Sequence, residues 1–169
     1  MDIKIVEKFI DDNMVDDLVL YSKSLSLDGY MVLIEYLINK LMSYSIPNEI
    51  NKRNSVALAL GDLKCNEAVP KIIELLKKDG ESLYVGTLVY VLKNLDCVYY
   101  LEQIFHLLHA GNYEVRRTMF TLLKENIEKT PLEIRNKMQQ ALKKAIEEYK
   151  DKLSGLYAAQ NDIFNIHNG

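Results

Sequence analysis

An all-α fold of stacked helix pairs, an α-solenoid, is what this sequence predicts, and three observations predict it. Pro and Gly are scarce, 3 and 7 in 169 residues, so few points force the chain out of a helix. Apolar residues recur at spacings of three and four, the mark of amphipathic helices, and not at the spacing of two that strands require. The chain also repeats itself. Gly61-Asp62-Leu63-Lys64-Cys65 followed by Ile72, Ile73, Leu75 and Leu76 lines up, 32 residues on, with Lys93-Asn94-Leu95-Asp96-Cys97 followed by Ile104, Phe105, Leu107 and Leu108. A helix pair this short cannot enclose its own apolar faces, so it must stack on neighbours, and three or more copies are needed for a continuous core.

The elements follow in order. Asp2 caps a first helix striped by Ile3, Val6, Phe9 and Ile10, and a second runs from about Met14 to Ser24. Gly29 to Tyr44 carries Leu33, Ile34, Leu37 and Leu41 on one face before Ser45-Ile46-Pro47 interrupts it, because proline disfavours helix in the residue preceding it. Ile34, Glu35 and Leu37 sit 39 residues before Ile73, Glu74 and Leu76, which marks a degenerate unit. The two clear copies follow, with Ser55, Val56 and Leu60 of one first helix matching Thr87, Leu88 and Leu92 of the next. A looser third copy has Met119, Leu122 and Leu123 on its first helix and Ile134, Met138, Ala141 and Leu142 on its second, at an offset of 34. Leu76, Leu108 and Leu142 are the expected equivalent core residues. One domain results: residues 1–46 as N-terminal cap and degenerate repeat, 47–147 as clear repeats, and 148–169, with Leu156, Ala159, Ile163 and Ile166, as C-terminal cap.

Ala57-Leu58-Ala59-Leu60-Gly61-Asp62-Leu63, then Glu67-Ala68-Val69-Pro70-Lys71-Ile72-Ile73-Glu74-Leu75-Leu76, and later Glu114-Val115-Arg116-Arg117 carry a resemblance. Over roughly residues 50 to 145 the sequence resembles the short HEAT repeats first associated with phycobilisome lyases. It departs from that pattern at Val85-Gly86 and at Cys97-Val98-Tyr99-Tyr100, where the Arg and the Ala-Val-Pro are replaced. The resemblance implies a right-handed α-solenoid of three to four HEAT-like helix pairs with capping helices. It implies no activity, since that family includes scaffolds, inhibitors and a few enzymes.

Composition narrows the partners. With 21 Lys+Arg against 24 Asp+Glu the formal net charge is -3, which is not the footprint of a general nucleic-acid binder. Apolar runs such as Val56 to Leu60 and Leu88 to Leu92 fall far short of the roughly 20 residues a membrane helix needs. The acidic N-terminus has no basic n-region or apolar h-region, so a cytoplasmic protein without a membrane partner is expected.

Catalytic and metal chemistry find little support. Cys65 and Cys97 occupy equivalent turns of successive units; stacked helices lie roughly 8–10 Å apart, beyond a disulfide's reach of about 7 Å, so both are expected as free thiols. Glu102, His106 and His109 have i, i+4, i+7 spacing on one helical face, yet a metal centre needs further ligands and a supporting shell, and the chain holds only 3 His. No Ser or Cys has a base and an orienting group in a recognisable motif, and no Gly-rich phosphate loop occurs. No catalytic residue, metal or cofactor is therefore expected.

Binding surfaces are more informative. The exposed row of the second helices, concave in a HEAT stack, holds Glu67, Lys71, Glu74 and Lys78 in one unit, Tyr99, Tyr100, Gln103 and His106 in the next, and Glu133, Lys137, Gln140 and Lys144 in the last. Glu67-Lys71 and Glu74-Lys78 read as i,i+4 ion pairs, whereas the middle unit offers the aromatic and uncharged polar groups enriched in interfaces. Tyr99, Tyr100, Gln103, His106, Lys71, Glu74, Lys137 and Gln140 are the expected partner site of a non-enzymatic protein-binding module. Such a concave-face module suits an immunity protein neutralising a basic toxin domain; an alternative docking site for a basic partner is the acidic end, Asp11, Asp12, Asp16 and Asp17, since residues 1 to 50 carry net -5. The alternative function is a nucleic-acid-binding or DNA-repair HEAT-like protein using Arg116-Arg117, Lys124 and Lys52-Arg53.

Overall fold

The computed structural model describes residues 1–44, 46–79 and 84–164, the side chains of 79 and 157–164 excepted. Among these residues there are ten α-helices and no strand, so the all-α expectation holds. The chain divides into two compact units, residues 1–129 and 130–169.

In the first unit, α1 (Ile3–Asp11) starts where the Asp2 carboxylate accepts the Lys4 N–H at 2.9 Å, satisfying one orphan donor of the first turn. It buries Val6 and Ile10. α2 (Val15–Ser22) follows, and α3 (Leu27–Ser43), capped by Ser26, buries Leu33, Ile34, Leu37 and Leu41. Those are the four residues its periodicity singled out. Then come α4 (Ile50–Asp62), α5 (Val69–Asp79), α6 (Gly86–Val91), α7 (Leu101–Ile104), α8 (Leu107–Ala110) and α9 (Tyr113–Asn126). α2 packs on α4, α4 on α6 and α6 on α9, forming one layer of first helices, while α3 packs on α5 and α5 on α7 in a second layer.

The 32-residue register is visible in the elements themselves. A 3₁₀ turn at Asn66–Ala68 leads into α5, and another at Val98–Tyr100 leads into α7. Asn66 ties the two turns together, its side-chain oxygen accepting the Asp96 N–H at 2.8 Å. Gly61 permits the close approach of α4 and α6, since a Cβ there would stand 2.8 Å from Val91 Cγ1.

The register fails in the second helix of the middle unit. Where α5 is continuous, its counterpart breaks between α7 and α8, and Leu108 and His109 donate to the carbonyls three residues back, of Phe105 and His106. Such 3₁₀ winding turns each residue about 20° further than an α-helix does. Leu107 thereby takes the core position and is fully buried, while Leu108 is half-buried. Leu107, not Leu108, is the counterpart of the buried Leu76.

The second unit is built on α10 (Leu132–Phe164), which runs unbroken past 148 and through Gly155, where a separate cap was expected. Its buried line passes through Met138 and Ala145, seven residues apart. Leu142 lies roughly 50° around the helix from that line and is 36% exposed, so it is not a core equivalent of Leu76; Ala141 is exposed as well. The side chains of Ala159 and Ile163 and the whole of Ile166 lie outside the described residues.

Candidate functional site

The first-helix layer carries a groove of about 750 Å³. α4 lines it with Ile50, Asn54 and Leu58, which recur every four residues and so share one face. α6 and the residues around it add Tyr84, Thr87, Tyr90 and Lys93, and α9 adds Tyr113, Glu114, Arg117, Thr118 and Thr121. The rim is aromatic and cationic: Tyr90 and Tyr113 are 53% and 69% exposed, and the Lys93 ammonium stands 5.8 Å from the centre of the Tyr90 ring. Gly86 leaves the space between them open, as a Cβ there would meet no atom within 4 Å.

Two features beneath the groove fix its shape. Arg53, on the buried side of α4 and only 1% exposed, donates through Nη2 to the Tyr84 carbonyl, which pins the segment entering α6. On α9, the Asn112 side chain accepts the Val115 N–H at 3.0 Å and starts the helix that presents Tyr113 and Arg117. The side-chain oxygen of Asn54 is buried and accepts no hydrogen bond among the described residues. A buried acceptor in that condition costs about 1–3 kcal/mol. The chemistry on offer is therefore threonine hydroxyls, tyrosine faces and two cations against one carboxylate.

The residues expected from the sequence are placed elsewhere. Tyr99 is 70% exposed in the 3₁₀ turn before α7, Gln103 is exposed on α7, and Tyr100 and His106 are half-buried. Lys71 and Glu74 are exposed on α5 and pair with each other at 3.0 Å, while Glu67 accepts from the Cys65 thiol at 3.4 Å. Lys137 and Gln140 are exposed on α10 in the second unit, with Lys137 bonded to Glu133 at 3.0 Å. Because the helix breaks at Phe105–His106, Glu102, His106 and His109 do not share one continuous α-helical face.

The basic and acidic groupings are also altered. Arg53 is a core residue and cannot join Lys52 on the surface, and Arg116 spends a donor on the Gly111 carbonyl at 2.9 Å. Arg117 is left as the exposed member that faces the groove. At the N-terminal end Asp11 pairs with Lys52 at 2.7 Å, so part of the local acidity is neutralised within the fold. Nearby, Lys40 reaches Glu7 at 2.6 Å and the Tyr36 hydroxyl donates to the same carboxylate. Burial raises the Glu7 carboxyl's pKa, but those two hydrogen bonds outweigh it and hold the group below its ordinary value. Asp12, Asp16 and Asp17 are exposed, the last two in the first turn of α2, where the helix dipole favours acids.

Both cysteines are free and buried, in agreement with the spacing argument. Burial pushes each thiol up to about 11, which disfavours the reactive thiolate at neutral pH. Among the described residues no helix is long and apolar enough to cross a membrane. Comparison with protein-family models, with curated proteins and with solved structures finds no match to this chain.

Proposed function

We propose that this protein is a non-enzymatic interaction module, a short HEAT-like α-solenoid that binds a carboxylate-bearing peptide segment of one protein partner in the groove between α4, α6 and α9. The observation that carries the reading is the groove itself, where Tyr84, Tyr90 and Tyr113 stand beside Lys93 and Arg117. Tyrosine and arginine dominate interface energetics when they flank a recess. The threonine hydroxyls would meet the segment's backbone, and the two cations would meet its acidic side chains. The stacking of α4, α6 and α9 in one layer and α3, α5 and α7 in the other supports the solenoid reading.

Affinity capture with the full chain from a native lysate, read by mass spectrometry, tests it. A partner retained by wild type and by Tyr99→Ala, but lost with Tyr90→Ala and Arg117→Glu, is the expected result. Retention by both groove variants overturns the reading. In the immunity version the partner is a basic toxin domain and co-expression rescues cells from it; capture abolished by charge reversal at Asp12 and Asp16 while the groove variants retain it would place the site at the acidic end instead.

A second reading rests on the same rings and cations, because aromatic faces beside Arg and Lys also form stacking platforms for single-stranded nucleic acid. Glu114 on the rim and the internal bonds of Arg53 and Arg116 argue against it. Its mark would be oligonucleotide binding that falls steeply with salt and is lost in Arg117→Glu.

A further inference from the structure

We propose that the C-terminal half of α10 is a docking seam for an acidic amphipathic helix of a partner protein, a surface separate from the groove and independent of its reading. Leu142, Ile146, Tyr149, Leu153 and Leu156 alternate by four and three residues, the spacing that keeps a coiled-coil seam on one side of a helix. All five are exposed, and exposure reaches 68% at Leu156. This seam runs beside the buried line of Met138 and Ala145, displaced around the helix from it, and stays exposed for three turns past Ala145. A run of large apolar residues left in water on an ordinary soluble surface marks an interaction site.

The flanks say what covers it. Lys143 and Lys150 border the seam on one side and Lys152 on the other, whereas Glu147, Glu148 and Asp151 lie toward the back. The ion pair of Lys150 with Glu147 at 2.9 Å is exposed and therefore weak, leaving Lys150 able to turn to a stronger partner. A second copy of this chain would bring only lysines to those flanking positions and gain no ion pair across the seam. An anionic membrane would meet the lysines but also the three acids on the same stretch. A helix with its own apolar stripe flanked by Glu or Asp satisfies both the seam and its borders.

The test uses the full chain and two synthetic amphipathic helices with leucine at the seam positions, one flanked by glutamate and one by lysine. The glutamate-flanked helix is expected to bind by fluorescence anisotropy, at least about tenfold tighter than its lysine-flanked counterpart. Leu153→Glu, an exposed position whose helicity is checked by circular dichroism, is expected to weaken it at least about tenfold. Lys143→Glu with Lys150→Glu is expected to reverse the preference. Equal affinity for both helices, no binding up to about 1 mM, a dimer of the free chain in sedimentation, or binding to anionic vesicles only would each overturn the proposal.

Discussion

The two layers of the first unit present different surfaces. The second-helix row offers single side chains standing in water, such as Tyr99, and local pairs such as Lys71–Glu74. The first-helix layer gathers residues of three helices around one recess, with a close approach at Gly61 and open space at Gly86. Exposure alone does not make a site. A partner gains most where it fills a depression that excludes water around an aromatic anchor, and the groove offers a depression beside aromatic rings.

The core beneath both layers should show the largest responses. Leu76→Ala and Leu107→Ala are expected to cost about 2–5 kcal/mol each, since both side chains are fully buried and leave cavities. Leu108→Ala should cost distinctly less, and urea denaturation of the three variants decides between the 3₁₀ register and the unbroken one.

Next comes the contrast between the layers. Tyr90→Ala should weaken partner binding by about 1–3 kcal/mol and Tyr99→Ala by less than about 0.5. Gly86→Phe, whose Cβ would meet no atom within 4 Å, should block binding while leaving the thermal midpoint near wild type.

Smaller effects come from titration. The Glu7 carboxyl is held below its ordinary value of 4.5 by Lys40 and Tyr36, so its contribution is present above that pH and is lost as pH falls through the folded value. Glu7→Gln should remove about 1 kcal/mol at pH 7 and flatten the acid limb. The thiols move the other way. Their folded values are raised from 9.0 to about 11, so their contribution is complete below pH 9.0 and is lost as pH rises toward 11. The urea midpoint should fall across that window, less steeply in Cys97→Ala.

Much of the fold was legible because periodicity reports burial directly. The core of α3, the caps at Asp2, the free cysteines and the 32-residue register of the turns follow from residue spacing. What spacing does not convey is a change of helical winding, so it predicts a continuous second helix in the middle unit and sets Leu108 where Leu107 sits. The repeat match ends near 147 and Gly155 follows, which reads as a boundary, although no Pro or cap residue stops α10 there.

The groove was written in the same register but not read. Asn54 and Gly86, and Leu58 and Tyr90, hold equivalent places 32 residues apart, and Thr87 and Thr121 repeat at 34. Small or polar residues at positions that should continue a helix face were the available signal. Arg53 misled for the opposite reason, because a charged residue beside Lys52 looks like surface until the Tyr84 carbonyl that receives it is known.

Placing a photo-crosslinking phenylalanine derivative at position 90, and separately at position 99, tests which layer meets the partner. Irradiation of cells expressing each full-length variant, followed by denaturing gels and mass spectrometry, reads the contact directly. A discrete adduct from position 90, competed away by Gly86→Phe in the same chain, with none from position 99, is the result expected of a groove between α4, α6 and α9. An adduct from position 99 and none from position 90 would place the partner on the second-helix row and contradict the account.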